Sequence, residues 1–358
     1  MEFDRLIEKC IDSGDLNKEE AAYLLSQDDE ERVSRIISAA DEIRKRFCGD
    51  EVHIRALIEF SNYCRNDCLY CGLRRSNSKI HRYRMTPDEI VSTAASIAQK
   101  GIGTIVLQSG EDPAFTADIA ADIISRIKSA ADVAVTLSLG ERPYEDYALW
   151  KEAGADRYLL RHETANPELF KKIHPDSTLQ KRLGCLKELK RLGYQIGAGS
   201  MVGIPGQTID DMAMDIMLLK DLEVDMAGIG PFIPHPNTPF GGAEQGSLKM
   251  TLKMVALARI VTRDALIPAT TATGTIDEFG REKALMAGAN VVMPNYTPLS
   301  WRVNYEIYPN KRCITEDPEA CAPCLAARIL SIGRKVAVGK GHSPKFIRRM
   351  QQKDMPSV

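Results

Sequence analysis

Three cysteines in one short segment have the type and spacing of metal ligands. Cys64, Cys68 and Cys71 follow the pattern C-x3-C-x2-C, and Tyr70 directly precedes the last of them. A structural zinc ion and a cubane iron–sulfur cluster both take four protein ligands. A cubane held by only three thiolates keeps one iron open, and an open metal position is where chemistry takes place. The alternative is a zinc knuckle completed by a distant residue such as His81, although zinc sites usually pair C-x2-C units.

A second group of cysteines lies near the end of the sequence. Cys313, Cys321 and Cys324 follow the pattern C-x7-C-x2-C. Because C-x2-C is a common ligand pair, this grouping favours a metal site over packing. An accessory 2Fe–2S cluster with one non-protein or exchangeable ligand fits the spacing, and a zinc ion that fastens the tail is the alternative.

Composition and charge limit the class of protein. The chain has 358 residues, of which 44% are hydrophobic and 27% are charged, as in an ordinary globular protein. A net charge of −2 provides no basic surface for nucleic acid or for an anionic membrane. The sequence shows no signal-peptide core and no apolar run long enough to cross a bilayer. The odd count of nine cysteines argues against a secreted disulfide framework, so we expect a cytoplasmic protein with reduced thiols.

The elements that must position the first cysteine group are typical of an α/β barrel. Residues 1–50 predict a helical extension, in which Asn17 and Glu20 occupy the positions of a capping box. Thr86 and Glu89 predict a second capping box at the start of a later helix. Strand-like segments alternate with helical ones from residue 51 onward, and they are 54–60, 104–108, 133–139, 157–161, 195–202, 226–230, 267–271 and 291–293.

These segments predict the fold class and the division of the chain. We expect a complete (β/α)8 TIM-type barrel over residues 51–305, preceded by the helical extension and followed by a cysteine-containing tail over 306–358. A doubly wound sheet is the alternative, but no G-x-G-x-x-G turn follows the first strand.

In such a barrel the active site lies at the carboxyl ends of the strands. The first cysteine group follows strand one, and Gly110 lies in the turn after strand two. A glycine there permits close backbone approach to a ligand, although an ordinary polar turn is an equally good interpretation.

Strand four carries charged residues at alternate positions. A period of two places Arg157, Leu159, Arg161 and Glu163 on one face, which faces the interior if the more apolar opposite face packs on helices. Interior charges are costly unless they are paired or bind a ligand, so this face predicts either a structural ion pair or a ligand site. Arg182, in the helical segment that follows, adds another cation near the mouth.

Two later strands end in further candidates. Met201, at the end of strand five, is placed to touch a sulfonium or adenosyl group, but a lone methionine is more often a core residue. Thr270 and Thr271, at the end of strand seven, offer hydroxyls to a carboxylate ligand or are ordinary β-branched strand residues.

The first cysteine group, with an aromatic residue before its last cysteine, resembles the signature of the radical S-adenosylmethionine superfamily. Within it, roughly residues 50 to 325 resemble the HydE family of FeFe-hydrogenase maturases. The C-x7-C-x2-C tail agrees with members of that family that carry an accessory cluster. The matching segments are 64–75, 83–90, 105–113, 154–166, 197–208, 228–236 and 267–272.

The resemblance implies a cofactor site. A 4Fe–4S cluster bound by the first cysteine group would chelate S-adenosylmethionine and cleave it with one electron, giving methionine and a 5′-deoxyadenosyl radical. Gly110 would meet the methionyl amine, Glu163 the ribose hydroxyls, Arg182 the carboxylate and Met201 the adenosyl group.

The resemblance also implies a substrate and partners. The family substrate is an organometallic iron–cysteine–carbonyl–cyanide species, which Arg161 and the two threonines would anchor by its carboxylate. We expect a one-electron reductant such as ferredoxin or flavodoxin, and other hydrogenase maturases as possible partners. The implied substrate-binding residues are Gln108, Thr136, Arg161, Thr270, Thr271 and Tyr305.

Other functions remain open at this point. A radical enzyme on the same scaffold, similar to methylornithine synthase, would act on a different small carboxylate outside hydrogenase maturation. Biotin synthase is a weaker alternative, because its auxiliary cluster is held by barrel-strand cysteines that this sequence lacks. A non-catalytic barrel, stabilised by metal and used for binding or as a scaffold, is the alternative from a different class.

Overall fold

The chain begins with three helices that cover one side of a barrel. The computed structural model describes residues 2–312, 314 and 318–353. The predicted capping box at the start of the second helix is confirmed, because Asn17 and Glu20 each accept from the other's backbone N–H. The apolar faces of these helices join the main hydrophobic core of the barrel. The three helices are α1 (Glu2–Asp12), α2 (Lys18–Leu25) and α3 (Glu30–Cys48).

The strands form a closed parallel barrel. They are β1 (Glu51–Ile54), β2 (Ala56–Ser61), β3 (Thr104–Ser109), β4 (Ala134–Ser138), β5 (Arg157–Leu159), β6 (Gln195–Ala198), β7 (Met201–Val202), β8 (Met226–Ala227), β9 (Gly230–Pro231), β10 (Val291–Val292) and β11 (Lys335–Val336). Six of them pair in the order β2-β3-β4-β5-β6-β8.

Single bridges and one further pairing complete the ring. Met226 bridges Leu266, Pro268 bridges Val291, and β10 pairs with β1, which continues into β2. Together with the six paired strands, the 266–268 segment and β10 complete eight strand positions, so the predicted complete (β/α)8 barrel is confirmed.

Helices surround the barrel and close the remaining surface. The predicted Thr86–Glu89 capping box is confirmed at the start of α4. Among the described residues, none of the helices is both long and apolar enough to cross a membrane. The remaining helices are α4 (Pro87–Gln99), α5 (Ala117–Ala130), α6 (Tyr144–Glu152), α7 (Pro167–Ile173), α8 (Leu179–Arg191), α9 (Ile209–Asp221), α10 (Leu248–Thr262), α11 (Thr271–Ile276), α12 (Gly280–Met286), α13 (Leu299–Arg302), α14 (Pro318–Ser331) and α15 (Pro344–Lys353).

The predicted seventh strand is wrong in its second half. Thr271 is the first residue of α11, and Thr270 is its N-cap, whose side chain accepts a hydrogen bond from the backbone N–H of Thr273. Pro268 has no N–H to donate to a sheet, and threonine is a favourable N-cap, so the chain turns into a helix after a single bridge. The hydroxyls of both threonines consequently lie at a helix start.

The end of the described chain closes the amino end of the barrel. β11 pairs with β1, and residues 337–343 then cross beneath the strands. Arg157 Nη2 donates to the carbonyl oxygens of Lys340 at 2.5 Å and Gly341 at 2.9 Å. Ser343 N donates to Gln195 Oε1 at 2.9 Å. We call this end the base of the barrel, and the opposite end, where the strands finish, the mouth.

Candidate active site

A cavity of about 320 Å³ lies at the mouth. It is bounded by the loop after β2, by the turns after β3 and β4, and by the ends of the later strands. The predicted site residues that line it are Cys64, Cys68, Cys71, Gln108, Gly110, Arg161, Glu163, Arg182, Met201, Thr270 and Thr271.

Two predicted substrate residues do not line this cavity. Tyr305 is buried behind Gln108, whose Nε2 lies 3.3 Å from the tyrosine hydroxyl. Thr136 is buried on β4, and within the described residues its hydroxyl has no hydrogen-bond partner. Both residues therefore lie outside the cavity wall, and a direct role in binding stays a prediction for each.

The loop that carries the first cysteine group is fixed by polar contacts. Arg74 binds Asp67 with two hydrogen bonds of 2.8 and 2.6 Å. The guanidinium group of Arg82 donates to the carbonyl oxygens of Leu73 and Arg74 at 2.9 and 2.7 Å. Because bidentate and charge-assisted hydrogen bonds are strong and directional, these contacts fix the conformation of the loop that carries the cysteines.

The three cysteines fit an iron–sulfur cluster. Burial raises the pKa of the Cys71 thiol to about 12 and also raises the pKa values of Cys64 and Cys68, so these thiols would release protons on binding a cluster. In the described part of the chain, no group of His, Cys, Asp and Glu side chains converges as the ligands of one metal ion. The three thiols instead line a shared cavity, which suits a cluster in which each thiolate binds a different iron.

A histidine that the sequence did not reveal stands behind these cysteines. His174, the C-cap of α7, places Nδ1 3.1 Å from Cys68 Sγ and Nε2 3.0 Å from the Tyr70 hydroxyl. Burial, and next the guanidinium groups of Arg182 and Arg161, hold its pKa well below the usual range. His174 is far from the cysteines in sequence and does not share a metal-ligand spacing with them. The sequence therefore gave no signal that it belongs to the site.

Strand four is shorter than predicted, because β5 covers only Arg157–Leu159, and Leu160 of the predicted outer face also lines the cavity. Leu159, Arg161 and Glu163 line the cavity, whereas Tyr158 on the opposite face stacks on Trp150 of α6. Glu163 has φ 64°, a conformation that is strained for a residue with a side chain. Backbone hydrogen bonds to the next strand segment hold it there, at 2.9 Å to Gly199 and 3.0 Å from Met201.

The polar groups of this face are incompletely satisfied. Arg161 Nη2 lies 3.0 Å from Glu163 Oε2 and donates to the Ser200 carbonyl at 2.8 Å. Among the described residues, however, Arg161 Nε, Glu163 Oε2 and the Ser200 hydroxyl are buried without a well-oriented hydrogen bond. Buried polar atoms of this kind call for an explanation, and a ligand in the adjoining cavity supplies one.

Arg182 lines the same cavity, but its guanidinium group already has partners. Nε lies 2.6 Å from Glu141 Oε1, and Nη1 donates to the Arg161 carbonyl at 2.6 Å. Burial alone would raise the pKa of Glu141, but Arg182, Ser177 and Lys181 together outweigh it and the pKa is lowered. A ligand carboxylate at Arg182 would share the arginine with Glu141. Glu141 follows β4, and the sequence analysis did not identify it as a site residue.

Gly110 brings the turn after β3 against the cysteine loop. A Cβ atom at this position would lie 2.2 Å from the Tyr63 carbonyl oxygen and 2.8 Å from Cys64 Cβ. Any larger residue would therefore push the turn away from the cysteines.

A buried ion pair on the opposite wall was also missed. Lys311 forms an ion pair with Glu59, and Asn295 Nδ2 donates to the other carboxylate oxygen of Glu59 at 2.6 Å. Lys311 and Glu59 both line the cavity. Lys311 follows the last barrel strand in sequence, and only chain folding brings it back to β2.

The second cysteine group falls largely outside this description. Cys313 lies outside the described residues. Cys321 belongs to α14, but its side chain is not among those described, and Cys324 is exposed on the same helix. The accessory cluster at these positions stays a prediction.

Comparison with known proteins identifies relatives over nearly the whole chain. The model of the Radical SAM superfamily matches residues 58–219. The [FeFe] hydrogenase maturase subunit HydE of Thermotoga maritima is 56% identical over 330 residues, which are 92% of this chain and 94% of that protein. The 3-methylornithine synthase of Methanosarcina acetivorans is 29% identical over 310 residues, 85% of this chain and 87% of that protein. The crystal structure of methylornithine synthase (PylB) superposes with a TM-score of 0.81 and 25% identity, covering 93% of this chain and 97% of that one.

Proposed function

The chain belongs to the HydE family of the radical S-adenosylmethionine superfamily, and from this premise we propose that it acts in assembling the di-iron active site of FeFe-hydrogenase. It is a radical S-adenosylmethionine enzyme. The observation that carries the proposal is the 56% identity to HydE of Thermotoga maritima over 94% of that protein.

Cys64, Cys68 and Cys71 would hold the 4Fe–4S cluster at the cavity wall. When bound, the cluster supplies the electron that cleaves S-adenosylmethionine to methionine and a 5′-deoxyadenosyl radical. The chain itself must hold the cofactor in one orientation and exclude water from the radical.

Four residues of the wall would orient S-adenosylmethionine. The carboxylate of Glu163, an acceptor whose Oε2 is unsatisfied among the described residues, suits the ribose hydroxyls. Arg182 would take the methionyl carboxylate beside Glu141, and the backbone near Gly110 would meet the amine. Met201 would contact the adenosyl group from the buried end of the cavity.

The deeper part of the cavity would bind the substrate, a cysteine-bearing organometallic iron complex. Arg161, with its unsatisfied Nε, would bind the carboxylate of this complex, and the hydroxyls of Thr270 and Thr271 at the start of α11 would assist. Gln108 would contribute directly, whereas Tyr305 and Thr136 would act from behind the wall.

The cellular setting follows from the same chemistry. We place the protein in the cytoplasm, where a low-potential one-electron donor such as ferredoxin or flavodoxin reduces the cluster and other hydrogenase maturases receive the product. Cys313, Cys321 and Cys324 would hold an accessory 2Fe–2S cluster that S-adenosylmethionine cleavage does not require.

A second candidate is a reaction like that of methylornithine synthase. The similarity in sequence and the TM-score of 0.81 favour it over other relatives with this fold. The two candidates differ in substrate: the first predicts that the organometallic iron–cysteine complex stimulates S-adenosylmethionine cleavage, and the second predicts stimulation by an amino acid that carries no metal.

Replacing one cysteine tests the proposal. Cys68→Ala should reduce cleavage of S-adenosylmethionine to background, because a cluster with two ligands is not held. Production of 5′-deoxyadenosine after anaerobic reconstitution measures this. Cys185→Ala, at a buried free cysteine of α8, is the matched control and should retain full cleavage. Cys321→Ala should retain most of it. Equal loss in all three variants, or zinc without a reducible cluster in the parent protein, contradicts the proposal.

A further inference from the structure

The imidazole ring of His174 is held between two residues of the cysteine loop. Nδ1 lies 3.1 Å from Cys68 Sγ, and Nε2 lies 3.0 Å from the Tyr70 hydroxyl. The ring also stacks on Phe170, with centroids 4.8 Å apart and an interplanar angle of 21°. His174 is 5% exposed, so its position is fixed by packing as well as by its polar contacts.

The chemistry of the two contacts determines which nitrogen carries the proton. A cysteine bound to iron is a thiolate, and it has no proton to donate to His174 Nδ1. The contact with Cys68 is attractive only when Nδ1–H is the donor. In the neutral ring Nε2 is then an acceptor, and the Tyr70 hydroxyl can donate to it. The two hydrogen bonds therefore run in one direction: the Tyr70 hydroxyl donates to His174, and His174 donates to Cys68.

From this geometry we propose that His174, oriented by Tyr70, donates a hydrogen bond to the thiolate of Cys68 and raises the reduction potential of the cluster. The inference rests on the proposed function, because it requires that Cys68 bind a cluster. Reduction adds one electron from the external donor, and part of the added negative charge falls on the sulfur ligands. A hydrogen bond to sulfur stabilises that charge, so it favours the reduced state. The proton stays on Nδ1 throughout.

Cys68 differs from its two neighbours in the kind of donor it meets. Backbone N–H groups of Asn66 and Glu111 approach Cys64, and that of Leu73 approaches Cys71. Cys68 meets the imidazole side chain. Substitution of one side chain therefore changes the donor at Cys68 while the backbone donors at the other two cysteines stay in place. His174 is a positioning residue in this account, since it acts on the reaction through a ligand of the cluster.

A redox titration of the reconstituted full-length protein, followed by electron paramagnetic resonance, tests the proposal. His174→Leu should make reduction of the cluster at least tenfold less favourable, which corresponds to a potential about 59 mV more negative for one electron. Tyr70→Phe should shift the potential in the same direction by less. It removes the hydroxyl that orients the imidazole ring of His174 but keeps the imidazole itself. His174→Gln retains a side-chain N–H donor and should recover part of the loss. His81→Leu, at an exposed histidine of the same loop, is the control and should leave the potential unchanged.

Iron content and the potential together separate the possible outcomes. An unchanged potential in His174→Leu, at the iron content of the parent protein, overturns the inference and leaves the proposed function intact. If His174→Leu binds no cluster, the potential of the Tyr70→Phe variant becomes the test. An unchanged potential in Tyr70→Phe then overturns the inference. Failure of the parent protein itself to assemble a reducible cluster overturns the proposed function first.

Discussion

The two ends of the barrel use the same residue type in different ways. Arg157 and Arg161 lie on one face of strand four, yet their guanidinium groups have opposite environments. At the base, Arg157 is fully buried and donates to Thr104 at 3.2 Å as well as to two carbonyl oxygens of the tail. At the mouth, Arg161 Nη2 pairs with Glu163 Oε2 at 3.0 Å and donates to the Ser200 carbonyl, but Arg161 Nε is buried without a hydrogen-bond partner in the described chain.

The difference favours the mouth as the end that binds a ligand. At the base, residues 337–343 of the same chain supply acceptors for Arg157, so that its burial is compensated within the fold. The compensation is incomplete, because Arg55 Nε at the base also has no partner among the described residues. What distinguishes the mouth is that its unsatisfied groups adjoin a cavity of about 320 Å³, where a ligand can reach them.

The largest expected effect separates the two arginines directly. Arg157→Ala should lower the free energy of unfolding by about 3–5 kcal/mol, because it leaves a buried cavity and carbonyl groups without donors. Arg161→Ala should cost less, about 1–2 kcal/mol, because Arg161 is partly exposed and the variant removes its ion pair with Glu163 and its hydrogen bond to Ser200. It should weaken binding of the organometallic iron–cysteine complex by about 30-fold or more, and binding of S-adenosylmethionine by less. Urea unfolding and titration with each ligand measure these changes, and similar stability losses in both variants would break the comparison.

An intermediate effect is expected at Glu163. Glu163→Gln keeps the shape of the side chain but replaces a charged acceptor with a neutral amide. Because hydrogen bonds to charged groups contribute about 1.5–3 kcal/mol, S-adenosylmethionine should bind about 10-fold to 100-fold more weakly. Stability should fall by about 1–2 kcal/mol, because the variant breaks the ion pair that Glu163 forms with the partly exposed Arg161. A loss of stability with unchanged binding would assign Glu163 to the fold and not to the cofactor.

The smallest expected effect concerns pH and the rim of the mouth. The pKa of Glu141 is lowered in the folded protein, because Arg182 and Ser177 outweigh the effect of burial. Its contribution to stability is therefore complete above the unfolded pKa, about 4.5, and is lost as the pH falls through the folded value. Glu141→Gln should lose less stability than the parent as the pH falls below about 4.5 in thermal unfolding experiments. Glu145→Gln, at an exposed carboxylate of α6, should behave as the parent does.

Sequence patterns predicted the structure correctly where all residues of the pattern lie within one short segment. The capping boxes at Asn17 and Thr86 formed as predicted, because their partners lie three residues away. A period of two placed Arg157 and Leu159 on one face of β5, but Arg161 and Glu163 lie beyond the end of that strand. The pattern failed at Thr271, where strand-like side chains begin a helix because Pro268 and the N-cap residue Thr270 end the sheet.

The sequence by itself determined the cysteine signature, the barrel and the end of the barrel at which the cavity lies, because each depends on spacing within a short segment or on alternation along the chain. The tertiary structure decided which groups surround those residues. His174 reaches Cys68 across 106 positions of sequence, Glu141 reaches Arg182 across 41, and Lys311 reaches Glu59 across 252. Such contacts leave no periodic trace, since they form only when closure of the barrel brings distant segments together, and that closure decides which charges are paired and which remain for a ligand.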